Sequence, residues 1–186
     1  MKLFLKYMVS IRCKMIVKSE LEKMGLHYTS VELGEAVITE DISDNQKAEL
    51  NHSLKKWGIE LIENKKSIII EKIKSVIIEQ VHYSEEPLQI NLSEYLAQKL
   101  LYDYTYLANL FSETQGITIE HFFLLHKIER VKELLIYDEL TISEIAWKLN
   151  YSSVSHLSNQ FKKMTGLTPS FFKKLKDKKR QSFEDI

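Results

Sequence analysis

The sequence has one cysteine among 186 residues and no long uninterrupted apolar run. A single cysteine excludes an internal disulfide, which fits a reducing compartment. The start, MKLFLKYMVSIRCKM, carries Lys6, Arg12 and Lys14, so it lacks the apolar core of a signal peptide. The isoleucine-rich stretch 68–78 is interrupted by charged residues and is too short to span a bilayer. We therefore expect a cytoplasmic protein that does not enter the membrane.

The sequence also lacks the short motifs of common catalytic sites. It contains no P-loop, no Gly-x-Ser-x-Gly and no His-Glu-x-x-His pattern. Its six histidines are scattered, and each is expected at the edge of a core or on the surface rather than at a ligand site. They are His27, His52, His82, His121, His126 and His156. No catalytic residue and no enzymatic activity are predicted.

The sequence does contain enough apolar residues for folded cores, and its charge is unevenly distributed. Hydrophobic residues make up 44% of the chain, so a disordered protein is not expected, and the length suits one large or two small domains. The net charge is zero, but 148–180 has nine basic and one acidic residue, whereas 92–147 has four basic and nine acidic. Such a basic block indicates a polyanionic partner. For Lys173–Arg180 alone, the alternative is a solvated basic tail that binds no partner.

The first 64 residues show a βαββαβ order of predicted elements. β-branched stretches predict strands, and amphipathic stretches that end near Gly25 and Gly58 predict helices. The predicted strands are 2–10, 27–33, 35–39 and 59–62, and the predicted helices are 11–24 and 43–57. This order is that of the ferredoxin-like plan, an antiparallel sheet covered on one face by two helices. We therefore predict an α+β ferredoxin-like domain over 1–64, with Trp57 among its buried residues.

A helix with a continuous apolar stripe is predicted for 65–83. Its apolar positions are Ile69, Ile70, Ile73, Val76, Ile77 and Val81. A stripe of this width needs a partner surface. Two partners are open: the same helix of a second chain, giving a homodimer, or the rest of the same chain. The segment 65–90 is predicted as a linker, because Pro87 disfavours helical geometry before the next domain.

The range 91–186 is predicted to be all-α and to contain one helical pattern twice. In 141–175, two amphipathic helices flank Asn150-Tyr151-Ser152-Ser153, in which Asn tolerates a left-handed conformation and Ser can cap the following helix. The corresponding positions of the two copies are Leu107 and Leu157, Phe111 and Phe161, and Gly116 and Gly166. A long helix, 118–137, is predicted to join the copies.

Several short runs within 91–175 resemble the AraC/XylS family of bacterial transcription regulators. These runs are Ile142-Ser143-Glu144-Ile145-Ala146, Tyr151-Ser152-Ser153, Phe161-Lys162-Lys163, Thr165-Gly166 and Pro169. The resemblance implies two helix-turn-helix units joined by one long helix. It also implies that each recognition helix enters one of two successive major grooves of double-stranded DNA. The function expected from it is that of a sequence-specific DNA-binding transcriptional regulator.

Carried over by position, the resemblance assigns the DNA-binding residues. In the second copy they are Val154, Ser155, Ser158 and Asn159, facing bases, with Lys162 and Lys163 near phosphate. In the first copy they are Thr105, Tyr106, Ala108 and Asn109. The first copy departs from the family pattern, because Asp103 precedes its second helix and Glu113 stands where lysine is common. We therefore expect the second copy to supply most of the binding.

The first domain also resembles heavy-metal-associated domains, which share the βαββαβ plan and carry a Met-x-Cys-x-x-Cys loop. The corresponding run is Met8 to Cys13, in which Cys13 fills the second cysteine position and Ser10 stands at the first. A single thiolate is a poor ligand set for a soft ion such as Cu(I). No metal or other cofactor is predicted, Cys13 being the candidate ligand, and the effector is unknown. The alternative function is a soft-metal sensor or chaperone domain fused to a helical interaction module.

Overall fold

The computed structural model describes residues 1–137 and 140–175, so the basic stretch 176–180 lies outside the described residues. Packing divides the chain into two compact units. Unit 1 is formed by Met1–Glu79 and Leu96–Gly116, and unit 2 by Gln80–Tyr95 and Ile117–Ile186. The domain boundaries at 64 and 90 stay predictions from the sequence.

Unit 1 begins with a four-stranded antiparallel sheet and two helices. The elements are β1 (Lys2–Lys6), α1 (Ile11–Lys23), β2 (Tyr28–Glu32), β3 (Glu35–Ile38), α2 (Asp44–Lys55) and β4 (Glu60–Ile62). The strands lie in the order β2-β3-β1-β4, with Leu3 paired to Ala36 and Leu5 paired to Leu61. The small antiparallel sheet predicted for this region is confirmed.

One face of the sheet forms the core of unit 1 with the two helices. Leu5 and Ile38, from the two central strands, are each 1% exposed, as the two-residue period of a strand allows. Leu21 of α1 and Leu54 of α2 belong to the same apolar cluster and are completely buried. Burying each of these side chains stabilises the fold by about 1.5–3 kcal/mol.

The prediction that Trp57 is buried is wrong. Its side chain is 57% exposed, because α2 ends at Lys55 and the helical period no longer directs position 57 toward the sheet. Its indole Nε1 instead donates a hydrogen bond to Glu20 Oε1 at 3.3 Å. Lys23 Nζ donates to the same oxygen at 2.6 Å. The Lys23 bond, with a smaller contribution from Trp57, lowers the pKa of Glu20.

The remaining elements of the described chain are helices. The helices are α3 (Lys65–Ile78), a π-helical turn (Glu79–Tyr83), α4 (Leu92–Leu100), α5 (Tyr104–Gln115), α6 (Ile119–Tyr137), α7 (Ile142–Lys148) and α8 (Val154–Thr165). Residues 169–175 are helical as well. Within 1–137 and 140–175, none of the helices combines the length and the apolarity that crossing a bilayer requires.

The apolar stripe of α3 is covered within unit 1. Ile70, Ile73 and Ile77 are at most 2% exposed, and α3 packs against β1 and α5. The helix also approaches the β2–β3 turn closely, since a Cβ added to Gly34 would lie 2.7 Å from Ser75 Oγ. Of the two partners left open for the stripe, the same chain is therefore the one that covers it.

The core of unit 2 is built by α6, α7 and α8. Ile128, Val131, Ile145, Leu157 and Phe161 belong to one cluster and are at most 3% exposed. The apolar faces predicted for α7 and α8 thus point inward. Their opposite faces are left to the surface.

Candidate nucleic-acid interface

The first helix of the last pair, α7, starts at a reciprocal capping box. Thr141 Oγ1 accepts a hydrogen bond from Glu144 N at 3.2 Å, and Thr141 N donates to Glu144 Oε2 at 2.7 Å. The bonds from Thr141 lower the pKa of the Glu144 carboxyl. The start of α7 is therefore fixed by two residues three positions apart.

The turn between α7 and α8 is fixed by backbone and hydroxyl groups. Asn150 has a φ of 53°, a left-handed conformation that asparagine tolerates. The next amide, Tyr151 N, donates to Ala146 O at 2.8 Å. Ser153 Oγ then accepts from His156 N at 3.0 Å and caps α8. The turn and cap predicted from the sequence therefore occur at these residues.

The inner face of α8 is held by aromatic and aliphatic packing. Leu157 and Phe161 are completely buried. The Phe161 ring meets the Phe172 ring edge to face, with 5.6 Å between the ring centres. The helix ends at Gly166, which has a φ of 79° and donates its amide to Lys162 O at 2.8 Å. Both ends of the helix are thus defined.

The outer face of α8 carries the residues predicted to contact DNA. Ser155, Asn159, Lys162 and Lys163 are exposed, Ser158 is half-buried, and Val154 is 39% exposed. Spacings of three and four residues place most of them on one side of the helix. In the described part of the chain, the four exposed polar side chains have no hydrogen bond or ion pair. Their polar groups are therefore available to a ligand, and their individual roles stay predictions.

A buried tyrosine behind α8 makes contacts that the sequence did not reveal. Tyr151 is 6% exposed, and its ring lies edge to face with His156, the ring centres 5.3 Å apart. Lys127 Nζ of α6 lies 3.8 Å from the centre of the Tyr151 ring. Burial raises the pKa of Tyr151 to about 12 and lowers the pKa of Lys127 to about 8. Periodicity could not predict this contact, because the two residues lie on different elements.

The helix α5 has the same length and the same kinds of ends as α8, at positions 50 residues earlier. Each helix has 12 residues. The N-caps are Asp103 and Ser153, whose side chains accept from the amide three residues on, and the C-caps are Gly116 and Gly166, with φ of 72° and 79°. The correspondence read from the sequence thus extends to the boundaries of the two helices.

The outer face of α5 differs from that of α8 in charge. The residues predicted to contact DNA are Thr105, Tyr106 and Asn109, which are exposed, and Ala108, which is half-buried. The Tyr106 ring stacks on Tyr102 with 5.7 Å between the ring centres. The last turn of α5 contains no basic residue, whereas that of α8 contains Lys162 and Lys163. The sequence predicts that Asp103 lowers DNA affinity by repelling phosphate. Its side chain also caps α5 by accepting a hydrogen bond from Tyr106 N.

The first turn of α1 carries the thiol of Cys13. Ser10 Oγ lies 3.5 Å from Cys13 Sγ, and Cys13 is half-buried. In the ranges that the structure describes, no three or more His, Cys, Asp and Glu side chains are grouped so that they could hold a metal ion.

Two histidines that the sequence interpretation treated separately lie together in unit 2. His82 Nε2 is 3.2 Å from His126 Nδ1, and His82 Nδ1 is 3.4 Å from Glu133 Oε2. Burial lowers the pKa of both imidazoles, and the neighbouring His82 lowers that of His126 further. The pair is 44 residues apart in the chain, so no local pattern marks it.

We expect unit 2 to lose stability as the pH falls from about 7.5 to about 5.5. Since the folded pKa values of His82 and His126 lie below the ordinary value of 6.5, the unfolded chain binds more protons in this window. Each imidazole then changes the free energy of unfolding by at most about 1.4 kcal/mol per pH unit. Denaturant unfolding at several pH values measures the slope.

The matched variants for this measurement are His82→Gln with His126→Gln, and His121→Gln at an exposed position of α6. The double variant should flatten the dependence on pH, and the single variant should keep it. If the double variant retained the full slope, the pair would not be its source.

Comparisons with known proteins identify the domain that carries α5 to α8. Residues 96–175 match the family model of a helix-turn-helix domain. The C-terminal domain of AraT, a response regulator from Geobacillus stearothermophilus, is similar with a TM-score of 0.51 and 28% identity, over 60% of this chain and 88% of that one. Residues 96–175 are therefore similar to known helix-turn-helix domains.

The proteins similar to this domain include a named transcriptional regulator and a DNA-binding domain. The uncharacterized HTH-type transcriptional regulator YtdP of Bacillus subtilis strain 168 is 27% identical over 96 residues, or 52% of this chain. The chain spans only 12% of the length of YtdP. The DNA-binding domain of AdpA, solved in complex with a target DNA, has a TM-score of 0.52 at 17% identity, over 60% of this chain and 96% of that one, which shows the fold alone. The helix-turn-helix match is thus shared with proteins that are named as transcriptional regulators.

Proposed function

We propose that the whole chain is a sequence-specific transcriptional regulator that reads two successive major grooves of DNA, one with α8 and one with α5. The observation that carries the proposal is the outer face of α8, a helix with defined ends, where hydroxyl, amide and ammonium groups have no partner among the described residues. Groups of these kinds bind base edges and phosphates. The matching length and caps of α5 support its use as the other recognition helix.

In this proposal the side chains of α8 divide by chemistry. Asn159 binds a base edge, best an adenine, to which its amide can donate and accept at once. Ser155 and Ser158 donate to or accept from neighbouring bases, and Val154 packs against a thymine methyl group. Lys162 and Lys163 neutralise phosphates, so binding weakens as salt rises.

The contribution of α5 is smaller in this proposal. Thr105, Tyr106 and Asn109 offer base contacts at the positions that match α8. Glu113 stands at the position of Lys163 and repels phosphate, while no basic residue follows in the last turn. Helix α5 therefore adds shape and a few contacts, and α8 supplies most of the affinity.

We also propose that the amino-terminal sheet and its helices form a ferredoxin-like domain, and that the regulator is cytoplasmic. The element order βαββαβ and the strand order β2-β3-β1-β4 support that plan. Ser10 in place of a cysteine, together with the absence of grouped ligands in the described residues, argues against a soft-metal sensor or chaperone. No effector and no enzymatic activity form part of the proposal.

A homodimer through the 65–83 helix is also left out of the proposal. Burial of Ile70, Ile73 and Ile77 within unit 1 removes the physical reason for a second chain to cover the stripe. One chain therefore supplies both recognition helices.

Selection of bound DNA from a random pool tests the proposal, using the whole chain at low and moderate salt. We expect an enriched sequence with two parts about 10–10.5 base pairs apart, the better defined part containing an adenine. Repeating the selection with Cu(I) should give the same sequence. If no sequence were enriched at moderate salt, the chain would not be a specific regulator; if enrichment required Cu(I), the metal-sensor alternative would replace the metal-independent proposal.

A further inference from the structure

A half-open cavity of about 170 Å³ lies in unit 2, next to the turn that precedes α8. Its wall comes from the π-helical turn, from the segment 84–92, from α6 and from the end of α7. Apolar side chains of Val81, Leu88, Phe123 and Leu149 line it. None of the residues predicted to contact DNA belongs to this wall.

The cavity wall also contains the amine of a lysine that has no ion pair among the described residues. Lys127 lines it, and Lys127 Nζ contacts two aromatic rings, with 3.8 Å to the centre of Tyr151 and 5.5 Å to that of Phe123. In the described residues Lys127 has no salt bridge. Burial alone lowers the pKa of its ammonium to about 8, so the charged form is destabilised until an anion reaches it.

The other charged groups of the wall are Lys148 and Glu86. Glu86 is exposed to solvent, and its backbone oxygen accepts hydrogen bonds from Gln80 Nε2 and Ser84 Oγ. Two ammonium groups against one solvated carboxylate leave the cavity positive. An apolar cavity with a few polar groups and a buried cation suits a ligand with an apolar body and one negative group.

We propose that this cavity binds a small organic acid, whose carboxylate pairs with Lys127 and whose hydrocarbon part lies among Val81, Leu88 and Phe123. The pairing is a charge-assisted hydrogen bond in a partly desolvated site, where such bonds are strong. The ligand class is therefore a monocarboxylate with a short aliphatic or aromatic body.

The same cavity wall reaches the turn before α8. Leu149 and Asn150 line the cavity, and Asn150 Nδ2 donates to Leu88 O at 2.9 Å on the other side of it. A ligand that contacts Leu88 and Leu149 changes the packing that holds this turn. Occupancy of the cavity thus changes the affinity of α8 for DNA, an extension that rests on the proposed function.

Three unbranched probes with six carbon atoms each test the ligand class: hexanoate, 1-hexanol and hexylamine. Isothermal titration calorimetry on the whole chain at pH 7 should show hexanoate binding at least about tenfold more tightly than the other two, the lower end expected for a charged hydrogen bond. Equal binding of hexanoate and 1-hexanol would overturn the proposal, as would binding of hexylamine alone.

The matched variants are Lys127→Met and Lys132→Met, both on α6. Lys132 pairs with Glu129 at 2.6 Å and does not line the cavity. Lys127→Met should lose the preference for hexanoate over 1-hexanol, and Lys132→Met should keep it. Because methionine fills the space of the lysine stem, circular dichroism should show both variants folded. A folded Lys127→Met that still preferred hexanoate would show that the carboxylate binds elsewhere.

The dependence on pH gives a second readout. The charged groups that line the cavity with Lys127 are Lys148 and Glu86. The Tyr151 ring lies 3.8 Å from Lys127 Nζ, and burial raises the pKa of its hydroxyl to about 12. Free Lys127 loses its proton as the pH rises through about 8, so hexanoate affinity should fall about tenfold per pH unit above that value. Affinity that stayed constant up to pH of about 10 would contradict the assignment to Lys127.

The extension to DNA is measured separately, by titrating the selected DNA with and without saturating hexanoate. A changed affinity in the unaltered chain, absent from Lys127→Met, supports coupling. Unchanged affinity overturns the coupling, while the calorimetry still decides the binding site. Failure of DNA selection itself rejects the proposed function and leaves the hexanoate result standing.

Discussion

Replacing Phe161 with alanine should destabilise unit 2 by about 3–5 kcal/mol and abolish specific DNA binding. Phe161 is completely buried, and its ring packs against Phe172 and the α6–α8 core. Removing it leaves a cavity that a close-packed helical core fills only in part. Since domains are stable by about 5–15 kcal/mol, this loss is a large share of the total.

The control is Phe111→Ala, because Phe111 holds the corresponding position of α5 and is also completely buried. Hydrogen exchange followed by mass spectrometry assigns the loss of protection to segments of the chain. Phe161→Ala should expose amides of 140–165 and spare the β-sheet, whereas Phe111→Ala should expose amides of unit 1. Equal loss of protection across both units in Phe161→Ala would show that the units do not unfold separately.

The two variants also separate the recognition helices. Phe161→Ala destabilises the helix that presents Lys162 and Lys163, and Phe111→Ala destabilises the helix that presents Glu113. We therefore expect the first variant to lose more DNA affinity than the second. The reverse order would assign the main binding role to α5.

Local signals are the reason that much of this fold could be predicted from the sequence. The bounds of α8 follow from Ser153 as a cap, from Leu157 and Phe161 on one face, and from Gly166 as a stop. Each of these signals acts within one helix. The same signals, 50 residues earlier, predicted α5.

Contacts between elements could not be predicted, because a single sequence shows no pairing of distant positions. His82 with His126, and Lys127 with Tyr151, depend on how α6 packs within unit 2. Trp57 was misassigned for a related reason: helical periodicity was extended beyond Lys55, where α2 ends. The cavity beside Lys127 could not be predicted either, because four separate segments of the chain form its wall.

Helical spacing predicted which residues of α8 are exposed. Whether these residues read bases or bind phosphates can be tested with two substitutions. Asn159→Ala removes an amide that reads a base edge, worth about 1–3 kcal/mol of discrimination. We expect its preference for the selected sequence over a scrambled one to fall about 5- to 150-fold, with little change on the scrambled DNA. Competition binding at fixed salt measures both affinities.

Lys163→Ala should behave in the opposite way, because an ammonium at a phosphate carries no sequence information. Affinity for selected and scrambled DNA should fall by similar factors, and the slope of log affinity against log salt should become shallower by about 1. The control is Lys132→Ala, which removes the same charge from α6, where Lys132 is paired with Glu129. Lys132→Ala should leave the slope unchanged, so a loss in Lys163→Ala cannot come from net charge alone.

The outcomes of the two substitutions together decide how α8 lies on DNA. If Asn159→Ala left both affinity and preference unchanged while Lys163→Ala flattened the slope, α8 would lie along the backbone rather than in the groove. If Asn159→Ala weakened binding to all sequences equally, Asn159 would contact phosphate and the base readout would have to come from Ser155 and Ser158. Only selective loss at Asn159 with uniform loss at Lys163 fits a helix that enters the major groove with its lysines toward one strand's phosphates.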